Sequence, residues 1–99
     1  MVKMEYDTLL HTNRRKILDV AARYGASHVR VFGSVARDTA DEISDIDFLV
    51  NLSPERSLFD LGGLLYELHQ MLGVEVDVVT EEGLRPRIRN KVLSEAVDL

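Results

Sequence analysis

The chain predicts an α+β fold: one small mixed β-sheet with helices packed on it. Two observations carry that expectation. Helical periodicity and strand alternation take turns in the order helix, strand, short helix, strand, long helix, strand, short helix. Between the second and third strands, Leu61, Leu64, Leu65, Leu68 and Leu72 recur at i, i+3, i+4, i+7 and i+11, the signature of an amphipathic helix. With 99 residues the chain has room for a single domain over residues 1–99 and one modest core, to which a dimer or partner contact could add.

From about Asp7 to Tyr24 the apolar positions Leu10, Ile17, Val20, Ala21 and Tyr24 fall on one helical stripe, and Gly25 supplies a left-handed stop. Val29–Phe32 reads as a short strand with Val29 and Val31 on one face, ended by Gly33; Ser34–Arg37 begins a short helix. Thr39–Ser44 is polar and turn-like. Asp45–Asn51 reads as the next strand, Ile46, Phe48 and Val50 lining one face and Asp45, Asp47 and Leu49 the other. Ser57 and Asp60 have capping-box spacing at the head of the leucine helix, and Gly73 closes it. Gly62-Gly63 inside that helix costs about 1 kcal/mol per residue against Ala, and close approach of helix to sheet is the expected compensation. Val74–Val79 is the last strand, and Pro86 suits the first residue of a short C-terminal helix containing Ile88 and Val92.

Composition narrows the function classes. The hydrophobic fraction of 45% and charged fraction of 29% are those of an ordinary globular protein. A net charge of −5 argues against direct nucleic-acid binding, which needs a basic surface. Zero cysteines exclude disulfides and thiolate metal sites and are compatible with a cytoplasmic protein. No apolar run approaches the ~18 residues of a membrane span, and Lys3, Glu5 and Asp7 interrupt the N-terminus.

The chemistry concentrates at Gly33-Ser34, followed after ten residues by Asp45-Ile46-Asp47. A Gly-Ser pair opening a turn leaves backbone N–H groups to hold phosphate oxygens. Aspartates at i and i+2 on a strand share a face and can share divalent cations. Four such fixed positions recur by chance in roughly one chain in a thousand of this length. Asp45 and Asp47 alone would also suit a solvated edge strand. Asp77 sits among Val74, Val76, Val78 and Val79, where an acid needs water, a counter-charge or a metal. Arg37, one helical turn beyond Ser34, either reaches a phosphate or lies on the surface. Arg85, Arg87, Arg89 and Lys91 form either a solvated helix face or a patch for an acidic partner or for nucleotide phosphates. His11, His28 and His69 lack metal-ligand spacing and read as surface or structural residues.

The stretch Val31-Phe32-Gly33-Ser34-Val35-Ala36-Arg37, then Ser44-Asp45-Ile46-Asp47-Phe48-Leu49-Val50, then Glu75-Val76-Asp77-Val78-Val79, resembles the nucleotidyltransferase superfamily that shares the polymerase-beta-like palm. Within it the chain is similar to the minimal nucleotidyltransferase (MNT) group, including its closing Leu84-Arg85-Pro86-Arg87-Ile88-Arg89. The resemblance implies Asp45, Asp47 and Asp77 as catalytic residues and ligands of two magnesium ions. It further implies Gly33, Ser34 and Arg37 as nucleotide-binding residues, ATP as substrate, and Asp77 as acceptor of the proton of an incoming hydroxyl. Asp38 departs from the family, which often carries glycine there.

Relatives of this size include antitoxins paired with HEPN ribonuclease toxins, which transfer AMP to a toxin tyrosine. The expected function is thus AMP transfer from ATP to a hydroxyl of a partner protein. So short a palm shows no evident second domain to build a small-molecule acceptor pocket, so the expectation is that another chain supplies the acceptor or a homodimer completes the site. The alternatives are a non-catalytic antitoxin that masks its partner through the leucine-rich helix or the basic C-terminal segment, and, less favoured, an antibiotic-modifying nucleotidyltransferase.

Overall fold

The computed structural model describes residues 8–33 and 45–99. Residues 8–12 are helical and run through Asn13 into α1 (Arg14–Arg23). The one continuous helix expected from Asp7 is therefore interrupted. Asn13 has φ −101° and ψ 8°, and its side-chain amide donates to Leu9 O at 2.9 Å, the same carbonyl its backbone N–H reaches. A short polar side chain that bonds local backbone competes with regular helix in this way. The expected apolar stripe holds across the break: Leu10, Ile17, Val20 and Ala21 are buried and Tyr24 packs against them half-buried.

β1 (Ala26–Phe32) is three residues longer than its apolar pattern suggested. It pairs antiparallel with β2 (Ile46–Leu52), and the register shifts between Ser27 and Arg30, where His28 adopts φ +48°. This bulge spends one extra residue and restores Val29 and Val31 to the buried face. The polar Ser27-His28 pair hid that start of the strand. β2 begins one residue after Asp45 and pairs in parallel with β3 (Val76–Thr80). Parallel neighbours need a crossover, which α2 (Leu58–Leu72) supplies. A two-residue strand, β4 (Val97–Asp98), pairs antiparallel with β1 and was not read from the sequence, being too short to show a period. The sheet order is β3-β2-β1-β4.

One face of this sheet carries the core. Ile46, Phe48 and Val50 from β2 meet Ile17 from α1 and Leu64 and Leu68 from α2, all essentially inaccessible to solvent. Each such side chain contributes about 1.5–3 kcal/mol relative to exposure. Both caps of α2 are those expected. Ser57 Oγ accepts from Phe59 N–H at 3.2 Å while the Asp60 carboxylate accepts from Ser57 N–H at 3.0 Å, and Gly73 ends the helix at φ +71°.

The Gly62-Gly63 expectation needs correction. A Cβ on Gly63 would lie 2.5 Å from Tyr24 Cε1, so the close neighbour is the ring at the end of α1 and not the sheet. At Gly62 a Cβ would meet nothing within 4 Å.

The opposite sheet face is also partly covered. Leu49 is fully buried yet stands outside the main core cluster, as does Val92 of α3 (Pro86–Glu95). Pro86 opens α3 at its first turn, where its missing N–H costs nothing. Arg89 of α3 donates to Glu81 O at 2.8 Å, and Glu81 Oε2 accepts from the buried Arg30 of β1 at 2.6 Å. Arg30, only 6% exposed, also bonds Asn51 Oδ1 and His28 O. This network ties β1, β2 and the end of β3 to α3. No helix of the described residues is long and apolar enough to cross a membrane.

Candidate active site

The parallel pairing of β2 with β3 puts Asp47 opposite Asp77 and Ile46 opposite Val76. Register partners in a parallel pair project from the same face, and alternation along β2 puts Asp45 on that face too. Asp45 lies just before the strand, where Ile46 N–H donates to Glu75 O at 3.1 Å and continues the ladder. The three acids expected from the sequence thus share the face opposite the main core, near the beginnings of β2 and β3. Asp45 and Asp77 are exposed and Asp47 is half-buried. Asp77 Oδ1 accepts from the N–H of Val78 at 3.0 Å, which orients its carboxylate.

Gly33 closes the arrangement from the β1 side. Phe32 is the register partner of Asp47, so the chain leaves β1 directly beside that carboxylate. Gly33 has φ +77°, and a Cβ built on it would collide with Asp47 Oδ2. Glycine is required twice here, for the left-handed backbone and for the contact with the acid. The sequence singled out Gly33 for phosphate approach, whereas its contact with Asp47 depends on strand register. Ser34 and Arg37, also expected at the nucleotide, and Asp38 lie outside the described residues.

Across the sheet the order is therefore Gly33, Asp47, Asp77. Beyond Asp77, the chain leaving β3 and the start of α3 line a groove of about 580 Å³ with Val79, Leu84, Arg85, Arg87 and Ile88. The basic cluster of the sequence divides. Arg85 and Arg87 line this groove, Arg89 is engaged by Glu81, and Lys91 is exposed. The histidines do not join the site. His28 Nε2 lies 3.2 Å from Asp98 Oδ1, His69 Nδ1 bonds Val74 O, and His11 is exposed.

Three carboxylates offer only hard oxygen donors, the chemistry magnesium requires. Among the described residues, no three acidic or histidine side chains are gathered around one point. Backbone register brings Asp45, Asp47 and Asp77 to one face, and the carboxylates themselves are spread. Like charges held on one face repel one another until a cation neutralises them.

The Arg30–Glu81–Arg89 network was missed by sequence reasoning. The available signal was an arginine between two inward-facing valines, Val29 and Val31.

A mixed sheet with paired aspartates beside a glycine turn defines a nucleotidyl-transfer palm, and comparison with known proteins agrees. A solved structure of a candidate minimal nucleotidyltransferase superposes with a TM-score of 0.85 at 46% identity, covering 100% of this chain and 97% of that one. A toxin–antitoxin structure with AMP-PNP shares the fold at a TM-score of 0.74 and 22% identity, over 87% of this chain and 71% of the other. A Methanocaldococcus jannaschii protein named as a candidate protein adenylyltransferase is 43% identical over 86 residues, 87% of this chain and 92% of its own length. The protein adenylyltransferase MntA of Thermococcus cleftensis is 33% identical over 93 residues, 94% of this chain and 91% of that protein. Residues 14–99 match the family described as Nucleotidyltransferase domain. The chain belongs to that family and is a nucleotidyltransferase of the minimal type.

Proposed function

We propose that this chain is a magnesium-dependent protein adenylyltransferase that moves AMP from ATP to a tyrosine hydroxyl of a partner, acting as the antitoxin of a HEPN ribonuclease toxin. The observation that carries the transfer chemistry is the Asp47–Asp77 register pair with Gly33 against Asp47. The protein acceptor is supported by the names of the relatives at 43% and 33% identity, and the antitoxin role by the toxin–antitoxin structures that share the fold. The composition without cysteine fits a cytoplasmic setting, where ATP is available.

In this reading the triphosphate lies on the Gly33 side, and Gly33, Ser34 and Arg37 are the residues that hold it. Asp45, Asp47 and Asp77 would hold two magnesium ions, whose chemistry is to neutralise phosphate charge and stabilise the attacking and leaving oxygens. The acceptor oxygen attacks the α-phosphorus in line. The new O–P bond forms as the bond to the bridging oxygen breaks, and pyrophosphate leaves with that electron pair. The hydroxyl proton passes to Asp77, which water can reach and relieve of it.

The test is intact-mass spectrometry of the chain incubated with ATP, magnesium and the protein encoded beside it. The expected result is a partner heavier by one or more AMP units, mapped to tyrosine and absent when EDTA is added. A partner that binds tightly with unchanged mass would overturn catalysis and leave a masking antitoxin. One observation favours that second reading. Leu61, Leu64, Leu65, Leu68 and Leu72 of α2 turn inward, but Leu58, Phe59 and Tyr66 on the same helix are exposed, Phe59 at 92%.

A further inference from the structure

We infer that the groove between β3 and the start of α3 is the acceptor subsite, built for a tyrosine flanked by acidic residues. This rests on the protein-acceptor reading above and names what that acceptor must look like.

Position is the first argument. Asp47 lies between Gly33 and Asp77, and the groove opens on the far side of Asp77. In-line displacement at phosphorus places the attacking oxygen opposite the leaving pyrophosphate. With the triphosphate on the Gly33 side, the acceptor enters from the Asp77 side, where this groove lies.

The lining gives the chemistry. Val79, Leu84 and Ile88 provide apolar wall for one aromatic ring, and Asp77 stands at the inner end to receive the phenolic proton. A volume of about 580 Å³ holds more than one side chain, so neighbouring residues of the acceptor enter as well.

Charge selects among acceptors. Arg14, Arg15, Arg23, Arg30, Arg56 and Arg89 each hold a hydrogen bond or ion pair within the chain. Among the described residues the guanidinium groups of Arg85 and Arg87 hold none, and both residues line this groove. On a chain of net charge −5, two uncommitted guanidinium groups beside the reacting position are complementary to carboxylates flanking the target.

The test is fluorescence anisotropy with two labelled peptides, each carrying one tyrosine, flanked either by paired glutamates or by paired lysines. The full chain is loaded with magnesium and α,β-methylene-ATP, which cannot transfer AMP. The glutamate peptide should bind about five- to tenfold tighter, the gain from two exposed ion pairs, and the preference should fade as salt rises. The R85Q/R87Q double variant should lose that preference while its α,β-methylene-ATP affinity stays within about twofold of wild type. Absence of peptide binding to wild type, or a preference unchanged in the variant, overturns the assignment. A variant that loses nucleotide affinity also overturns it, because the arginines then serve the donor phosphates. Charge-dependent peptide binding without AMP transfer from ATP supports the groove and removes the adenylylation reading instead.

Discussion

Asp47 and Asp77 are register partners on adjacent parallel strands, one strand spacing of about 4.8 Å apart in backbone. Like charges so placed repel one another, and a bound cation would relieve that repulsion. Asp77→Asn, and equally Asp45→Asn, should reduce AMP transfer on the order of a hundredfold or more, because each removes a carboxylate that would hold magnesium at the transferring phosphoryl group. Both positions are exposed, so the unfolding midpoint in urea should stay level or rise. Near-wild-type transfer by either folded variant would remove the acid from the mechanism.

Gly33→Ala tests the contact behind the site. Alanine at φ +77° carries about 1–2 kcal/mol of backbone strain, and its Cβ must displace the Asp47 carboxylate. The variant should lose stability by that amount and lose transfer by more than a stability change explains. Urea unfolding and a single-turnover assay on the same sample separate the two effects.

The adjacent glycines of α2 should respond in opposite directions. Gly62→Ala meets open space in a helix interior and should stabilise by about 1 kcal/mol. Gly63→Ala drives a methyl group into the Tyr24 ring and should destabilise by about 1–3 kcal/mol, the usual cost of overpacking. Thermal unfolding of the pair decides the matter, and a shift of the same sign in both would contradict the Tyr24 contact.

Glu81→Ala leaves the buried guanidinium of Arg30 without its carboxylate. Removing one partner of a buried pair costs about 3–5 kcal/mol, whereas replacing both by apolar groups of similar size is often neutral. Arg30→Met combined with Glu81→Leu should therefore recover most of the stability lost in Glu81→Ala. Denaturation midpoints of the single and double variants measure this.

Among the described residues, two groups make stability depend on pH. The Asp60 carboxyl is held below its ordinary 3.8 by the backbone N–H of Ser57, with Arg56 assisting. Its contribution is full above 3.8 and is lost as pH falls through the lower native value. The Tyr24 hydroxyl is raised above its ordinary 10.0, chiefly by its hydrogen bond to Glu67. Its contribution is present below 10.0 and is lost as pH rises through the higher native value. Asp60→Asn should flatten the acid limb and Tyr24→Phe the alkaline limb of a stability–pH profile.

The sequence alone determined the elements whose cause is local. The leucine period gave α2, Ser57 and Asp60 its start, and Pro86 the opening of α3. Strand alternation assigned Ile46, Phe48 and Val50 to the core and the aspartates to the other face, because a period of two follows from backbone geometry. What local patterns do not carry is which strand lies beside which. Tertiary structure decided that Asp47 meets Asp77, that Gly33 yields to Asp47, and that Gly63 makes room for Tyr24. It also decided that Arg30 holds Glu81 across the sheet, and that Arg89 is spent on its own chain while Arg85 and Arg87 face a groove. Each of these joins residues distant along the chain or on different elements, and their contact is fixed by register and packing, which no single stretch of sequence contains.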